Sequence, residues 1–150
     1  MKLNAKQLRV TRPTEEELAK IQRKPIRIIL DNVLDTYNIG AIFRLADAVA
    51  AQEIILCGGS ETPPSSRIHK AAVGTEEWVA WRYFADAKSA ILSLKSQIPN
   101  LKVIAVEQDE RAISITSLTS PLTPLLSFSL RSCRWPGEGN EERFLGFSTL

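Results

Sequence analysis

The sequence predicts an α/β domain built on a mostly parallel sheet with helices on both faces, and three observations carry that reading. Short continuous runs of apolar and β-branched residues recur, as at 26–30 and 101–106, in the manner of strands covered on both faces. Between them lie stretches with apolar residues at helical spacing, such as Ile39, Ala41, Ile42, Leu45, Ala46 and Val49. The 150 residues, 44% apolar and 24% charged, have the size and balance of one domain with one core.

Taken in order, Thr14 followed by Glu15, Glu16 and Glu17 predicts a helix start, with a capping hydroxyl and an acidic first turn at the positive end of the helix dipole. Leu18 and Ile21 extend that helix to Lys24, and Pro25 ends it. Residues 26–30 then form a buried parallel strand, and the polar, turn-rich 31–38 leads into a long helix capped by Asn38. A second short strand at 53–57 is closed by Gly58 and Gly59 and followed by a loop containing Pro63 and Pro64. Residues 77–84 are aromatic and β-branched enough for a third strand. Residues 86–97 place Ala90, Ile91 and Leu94 on one helical face, and 101–106 is again a buried-type strand. In such a sheet ligands collect outside the carboxyl ends of the strands, here the loops after Leu30, Cys57 and Val106. Three units result: a basic N-terminal extension with a short helix over 1–25, the α/β domain over 26–119, and an irregular tail over 120–150 with no sustained period of 2 or 3.6 residues.

The net charge of +2 conceals an asymmetry. Residues 1–27 hold eight basic and three acidic side chains, a local +5, which leaves −3 for the remaining 123. A positive arm on a faintly acidic body suits contact with a polyanion, because each Lys or Arg on a phosphate releases condensed counterions. Lys6, Arg9, Arg12, Arg23 and Lys24 are the candidate contacts, and a solvated charged helix is the plainer alternative. No run of residues has the length and apolarity of a membrane span or the core of an export signal, so the expected setting is cytoplasmic, with no membrane partner. Cys57 and Cys133 make no C-x-x-C pair, and with His69 the one histidine no metal site is expected. Trp78, Trp81 and Tyr83 alternate at strand spacing, which suits packing first and base stacking second. His69, Lys70 and Glu76 together suggest an acid/base site only weakly.

The segment with most chemistry is Asp35-Thr-Tyr-Asn38-Ile-Gly40-Ala-Ile-Phe-Arg44-Leu-Ala-Asp-Ala48, at the junction of the first strand and its helix. Gly40 permits close approach of another backbone, and Arg44 is an uncomfortable surface residue between Phe43 and Leu45. Read plainly, Asn38 is a cap and Arg44 a solvent-facing charge. The pattern Asp35-x-x-Asn38-x-Gly40-Ala-x-x-Arg44-x-Ala46-Asp-Ala resembles the first motif of the SpoU family of RNA ribose 2'-O-methyltransferases, within the SPOUT class. The likeness continues through Cys57-Gly58, the proline-containing loop, Lys70-Ala-Ala-Val-Gly74-Thr-Glu-Glu and Val103-Ile-Ala-Val-Glu107, and covers about residues 26–119.

That resemblance implies an α/β domain with a C-terminal trefoil knot, a homodimer, S-adenosylmethionine as cofactor, and tRNA or rRNA as substrate. It makes Arg44 the clamp on the phosphate beside the reacting ribose and Asn38 the residue that fixes local geometry, through backbone or Arg44. The family's second and third motifs, which wrap the cofactor and form the knot, are not found beyond residue 120, so the cofactor-binding residues are unassigned and the knot reads as incomplete. A non-catalytic RNA-binding module is the alternative, and a doubly wound domain binding a small acidic partner is a third. Back-translating 135–140 and reading one base later forces Gly and Lys or Arg and allows Leu and Glu, a pattern Gly-Leu-x-Lys/Arg-Glu similar to the end of the second motif. The stretch from about Ser120 is open to two readings, a natural surface tail or an out-of-frame remnant. Sequencing the gene past this point is expected to reveal the missing motifs in the shifted frame if the second holds, and an intact frame without them would refute it.

Overall fold

The computed structural model describes residues 5–106, 113–114, 126–129 and 143–146. Two short helices come first, α1 (Ala5–Val10) and α2 (Glu15–Lys20). Thr14 caps α2 as predicted, in a reciprocal box with Glu17: the Glu17 amide donates to Thr14 Oγ1 (3.3 Å) and the Thr14 amide to Glu17 Oε2 (2.9 Å). The helix stops at Lys20, four residues before the expected end, with Ile21 closing it in extended conformation. Pro25 lies inside β1 (Lys24–Asp31), next to a register irregularity between Lys24 and Arg27, where a residue without an N–H is tolerated.

All strand pairs are parallel, in the order β3-β2-β1-β6-β4-β7-β5. The members are β1, β2 (Ala51–Cys57), β3 (Ala80–Phe84), β4 (Ile104–Val106), β5 (Ile113–Ser114), β6 (Leu126–Ser129) and β7 (Arg143–Gly146). The stretch after 120, which shows no period in sequence, therefore contributes two strands, one of them between β1 and β4. Strands of four residues are too short to display a pattern.

Alternation along β1 and β2 sorts the core onto two faces. Ile28, Leu30, Ile54 and Leu56 pack under α3 (Thr36–Ala48) and α4 (Ser66–Ala72), with Ile39, Phe43 and Ile68. Ile29, Ile55 and Cys57 pack under α5 (Ala87–Gln97), with Ala90, Ile91 and Leu94. The predicted arrangement, helices on both faces of a parallel sheet, is thus the observed one.

Three local readings need correction. Asp35, not Asn38, caps α3: its Oδ1 accepts from the Tyr37 amide at 2.8 Å, so the helix begins earlier and Asn38 lies in the first turn. Helix α4 was expected as loop, because seven residues after a proline pair carry little periodicity; Ser65 caps it. The third strand begins at Ala80 rather than at 77, because 75–77 form a 3₁₀ turn: left-handed Val73 (φ 58°) and Gly74 (φ 92°) turn the chain and Thr75 Oγ1 donates to the Ala72 carbonyl (2.9 Å).

On the α5 face, Glu53 ties three strands together. It accepts from Arg27 Nε (2.8 Å) and, through both oxygens, from Arg82 Nε (2.7 Å) and Nη2 (2.8 Å). Arg23, half-buried, donates to the Trp78 carbonyl (2.7 Å) and to Asp47 (3.4 Å), joining the entry of β1 to the turn before β3.

Gly40 lets α3 meet α4. A Cβ there would lie 2.5 Å from Ala71 Cβ and 2.8 Å from the Ala72 amide nitrogen. Gly40→Ala gains about 1 kcal/mol of helix propensity, but overpacking against backbone costs about 1–3 kcal/mol. A net loss of stability in urea unfolding is expected, and a rise would show that the two helices can separate freely. Burial pushes the Cys57 thiol up from 9.0 to about 12, with Asp31 and Asp86 adding repulsion. An unfolded thiol ionises near 9.0 and the folded one near 12, so unfolding releases a proton in that window and Cys57 makes stability fall as pH rises through it. In the native protein at pH 8, iodoacetamide should leave the Cys57 peptide unmodified until urea is added, as read by mass spectrometry.

Candidate functional site

The sheet reverses its winding at β1: the chain moves outward from β1 to β2 and β3, then crosses to β4 on the other side. Ligands bind at such switch points, outside the carboxyl ends. At that end of β1 the chain must turn from strand to helix in four residues, and it does so on a scaffold of side chains. Asn32 adopts φ 54°, a conformation Asn tolerates, and its amide donates to the Cys57 carbonyl (3.1 Å). Asn32 Nδ2 donates to Asp31 Oδ1 (2.8 Å) while its Oδ1 accepts from the Gly59 amide (3.0 Å). Buried Ser60 accepts from the Val33 amide (2.9 Å) and donates to the Leu30 carbonyl (3.2 Å). Four polar bonds therefore lock the loop after β1 to the turn after β2. Sequence reasoning missed Asn32 and Ser60 in this role. The available signal was turn chemistry directly after two buried strands.

Helix α3 leaves this loop with Ile39, Gly40, Phe43 and Ala46 turned into the core and Tyr37, Asn38, Ala41, Arg44 and Leu45 turned to solvent. Arg44 makes no hydrogen bond or ion pair with any described residue. The Asn38 side chain is likewise without a hydrogen bond among the described residues, so its expected bond to backbone or to Arg44 is not formed among them. Both face water on a helix that starts at the switch point. Such a guanidinium is available to an anion, and its planar fork matches a phosphate by two parallel bonds.

The basic extension divides. Lys6 and Lys24 are exposed. Arg12 is 81% exposed and reaches Glu77 only at 4.0 Å. Arg9 is half-buried and donates from Nη2 to the Lys70 carbonyl (3.4 Å). Arg23 has 16% of its side chain exposed and is spent on Trp78 and Asp47, so it serves the fold and offers no free cation. Lys70 itself is exposed, and His69 Nδ1 hydrogen-bonds a carboxylate oxygen of Glu76, whose side chain is 5% exposed. That burial keeps the carboxylate away from a large substrate. Among the described residues no cluster of three or more His, Cys, Asp or Glu side chains is placed to hold a metal, and no helix is long and apolar enough to cross a membrane.

The family model described as the SpoU rRNA Methylase family matches residues 25–127, to the start of β6. The 23S rRNA (guanosine-2'-O-)-methyltransferase RlmB of Pseudomonas putida is 26% identical over 113 residues, which cover 75% of this chain and 45% of the relative. The tRNA (guanosine(18)-2'-O)-methyltransferase of Thermus thermophilus is 26% identical over 110 residues, covering 73% and 56%. The chain spans about half the length of the curated relatives it matches. Among solved structures, the AdoMet-bound rRNA methyltransferase from Sinorhizobium meliloti shares the fold with a TM-score of 0.67 at 19% identity, over 95% of this chain and 51% of that one. With well over half of its residues under the family model and the first-motif segment on the helix that leaves the switch point, the chain belongs to the SpoU rRNA methylase family.

Proposed function

We propose that the chain takes part in transfer of a methyl group from S-adenosylmethionine to a ribose 2'-hydroxyl of tRNA or rRNA, and that the described residues form the ribose side of that site. The observation that carries this reading is Arg44: an exposed cation without a partner among the described residues, on a helix whose start is held rigidly at the carboxyl edge of a parallel sheet. A 2'-hydroxyl is a weak nucleophile, and holding it in line with the methyl donor removes part of the entropic barrier. Arg44 does this by gripping the phosphate next to the reacting ribose, and Asn38, in the first turn of the same helix, offers a donor and an acceptor to the sugar. Both residues bind and orient. When bound, S-adenosylmethionine supplies a methyl group on a positively charged sulfur. No described residue is assigned a contact to its adenosyl side.

Lys6, Arg9, Arg12 and Lys24 extend the grip along the RNA backbone, a role that adds affinity without sequence readout. A second copy of the chain is the further partner that the family resemblance implies. The expected setting is the cytoplasm, where RNA is met.

Arg44→Ala tests the reading. With a short single-stranded RNA, loss of one phosphate contact weakens binding and makes the slope of log K against log salt shallower by about 0.7. An unchanged slope removes Arg44 from the phosphate. Thermal unfolding with and without S-adenosylmethionine separates transfer from a non-catalytic RNA-binding module, because a ligand held only by the folded state raises Tm. No rise, with RNA binding intact, leaves the binding module.

A further inference from the structure

We infer that the turn after β2, flanked by Tyr83 and Leu34, is a stacking platform for one base of single-stranded RNA. This deepens the RNA reading above and rests on it. Seven large hydrophobic side chains are exposed among the described residues, and three of them, Leu34, Tyr37 and Tyr83, stand at the carboxyl ends of β1 and β3. They lie at the edge where the candidate site is built.

Tyr83 is 51% exposed, yet its hydroxyl donates to the Gly58 carbonyl at 2.9 Å, which fixes the ring over the turn. A ring already held in place loses little rotamer freedom when something stacks on it. Beside it the Gly58-Gly59 turn packs against the Asn32 carboxamide. Gly58 has φ +62°, and a Cβ there would lie 2.5 Å from Asn32 Oδ1, so no side chain fits. Gly59 is exposed, and beyond it stands Leu34, 57% exposed, with Cδ2 3.2 Å from where a Gly59 Cβ would be. A tethered aromatic, a glycine turn backed by the Asn32 carboxamide and an aliphatic side chain make a small strip without bulky projections at the turn itself.

Size and position select the occupant. A stable protein contact needs about 800 Å² per partner, far more than two side chains and two glycines present. A nucleobase is planar, with a face suited to aromatic and aliphatic surface, and sequence-tolerant stacking of this kind is how single strands are held. The strip adjoins the start of α3, whose exposed face carries Tyr37 and, seven residues on, Arg44. Seven residues of helix span about 10 Å, so a phosphate on Arg44 leaves room for a neighbouring base to reach the turn.

The test uses two ten-residue probes of equal charge: a mixed-sequence single-stranded RNA and the same ribose-phosphate strand without bases. The unmodified chain is expected to bind the base-bearing strand about 5- to 100-fold more tightly. Tyr83→Ala should reduce that ratio about fivefold or more and leave affinity for the baseless strand unchanged, whereas Tyr83→Phe keeps most of it. If Tyr83→Ala does not fold, Leu34→Ala on the other side of the turn is read in the same way. A ratio unmoved in the folded variants overturns the platform and leaves the RNA reading intact. Absence of salt-dependent binding to either probe overturns both. A shift in the monomer–dimer equilibrium on Tyr83→Ala, with the ratio unmoved, makes the strip an interface between copies and also defeats the proposal.

Discussion

The carboxyl edge of this molecule depends on the enclosure of β1. Ile28, Ile29 and Leu30 are buried because both faces of the strand are covered by helices and both its edges are paired, to β2 on one side and β6 on the other. A strand closed on four sides has one exit, through its end. The loop beyond Asp31 is there obliged to find partners for its polar backbone near the core, since an unsatisfied buried group costs about 1–3 kcal/mol. Ser60 and Asn32 supply them. The start of α3 is thereby fixed relative to the sheet, and everything that α3 displays inherits that precision.

Much of this was legible before any coordinates. A run of Ile26, Ile28, Ile29 and Leu30 interrupted only by Arg27 reads as a strand covered on both faces, so β1 as a buried parallel strand follows from residues 26–30. The helices with clean apolar spacing, α3 and α5, follow in the same way, and Thr14 caps where its chemistry says it should. What failed were features set by tertiary context. Asp35 and Asn38 are both acceptable caps, and only the geometry of the loop decides for Asp35. Helix α4 exists because Ile68 and Ala72 reach the core beside Gly40. Nothing in a seven-residue window announces that.

Charge counting gave the right asymmetry and an incomplete meaning. The N-terminal extension is basic, but Arg23 and Arg27 are drawn into the body by Asp47, the Trp78 carbonyl and Glu53. These are contacts made where strands and turns meet, with the guanidinium satisfying groups that burial would otherwise leave bare. Two of the eight basic residues over 1–27 are thus structural, and the surplus on display is smaller than the sequence sum. A count over a segment measures the charge present and says nothing of how much is already neutralised.

Arg44 shows the converse. Its neighbours Phe43 and Leu45 suggest a buried environment, which would make an arginine costly. On a helix, however, each step turns the side chain by about 100°, so the neighbours in sequence are not the neighbours in space. Phe43 is fully buried, Leu45 is 47% exposed, and Arg44 lies on the solvent side with Ala41 and Tyr37. The residue is therefore not a buried charge in need of rescue. It is a cation kept in water, beside exposed apolar groups and without an ion pair among the described residues, on a helix whose start is fixed to the carboxyl edge of the sheet. A surface arginine that served solubility alone would have no need of such a mount. One that must meet a phosphate in a fixed orientation does, because a loose clamp spends its binding energy on being ordered.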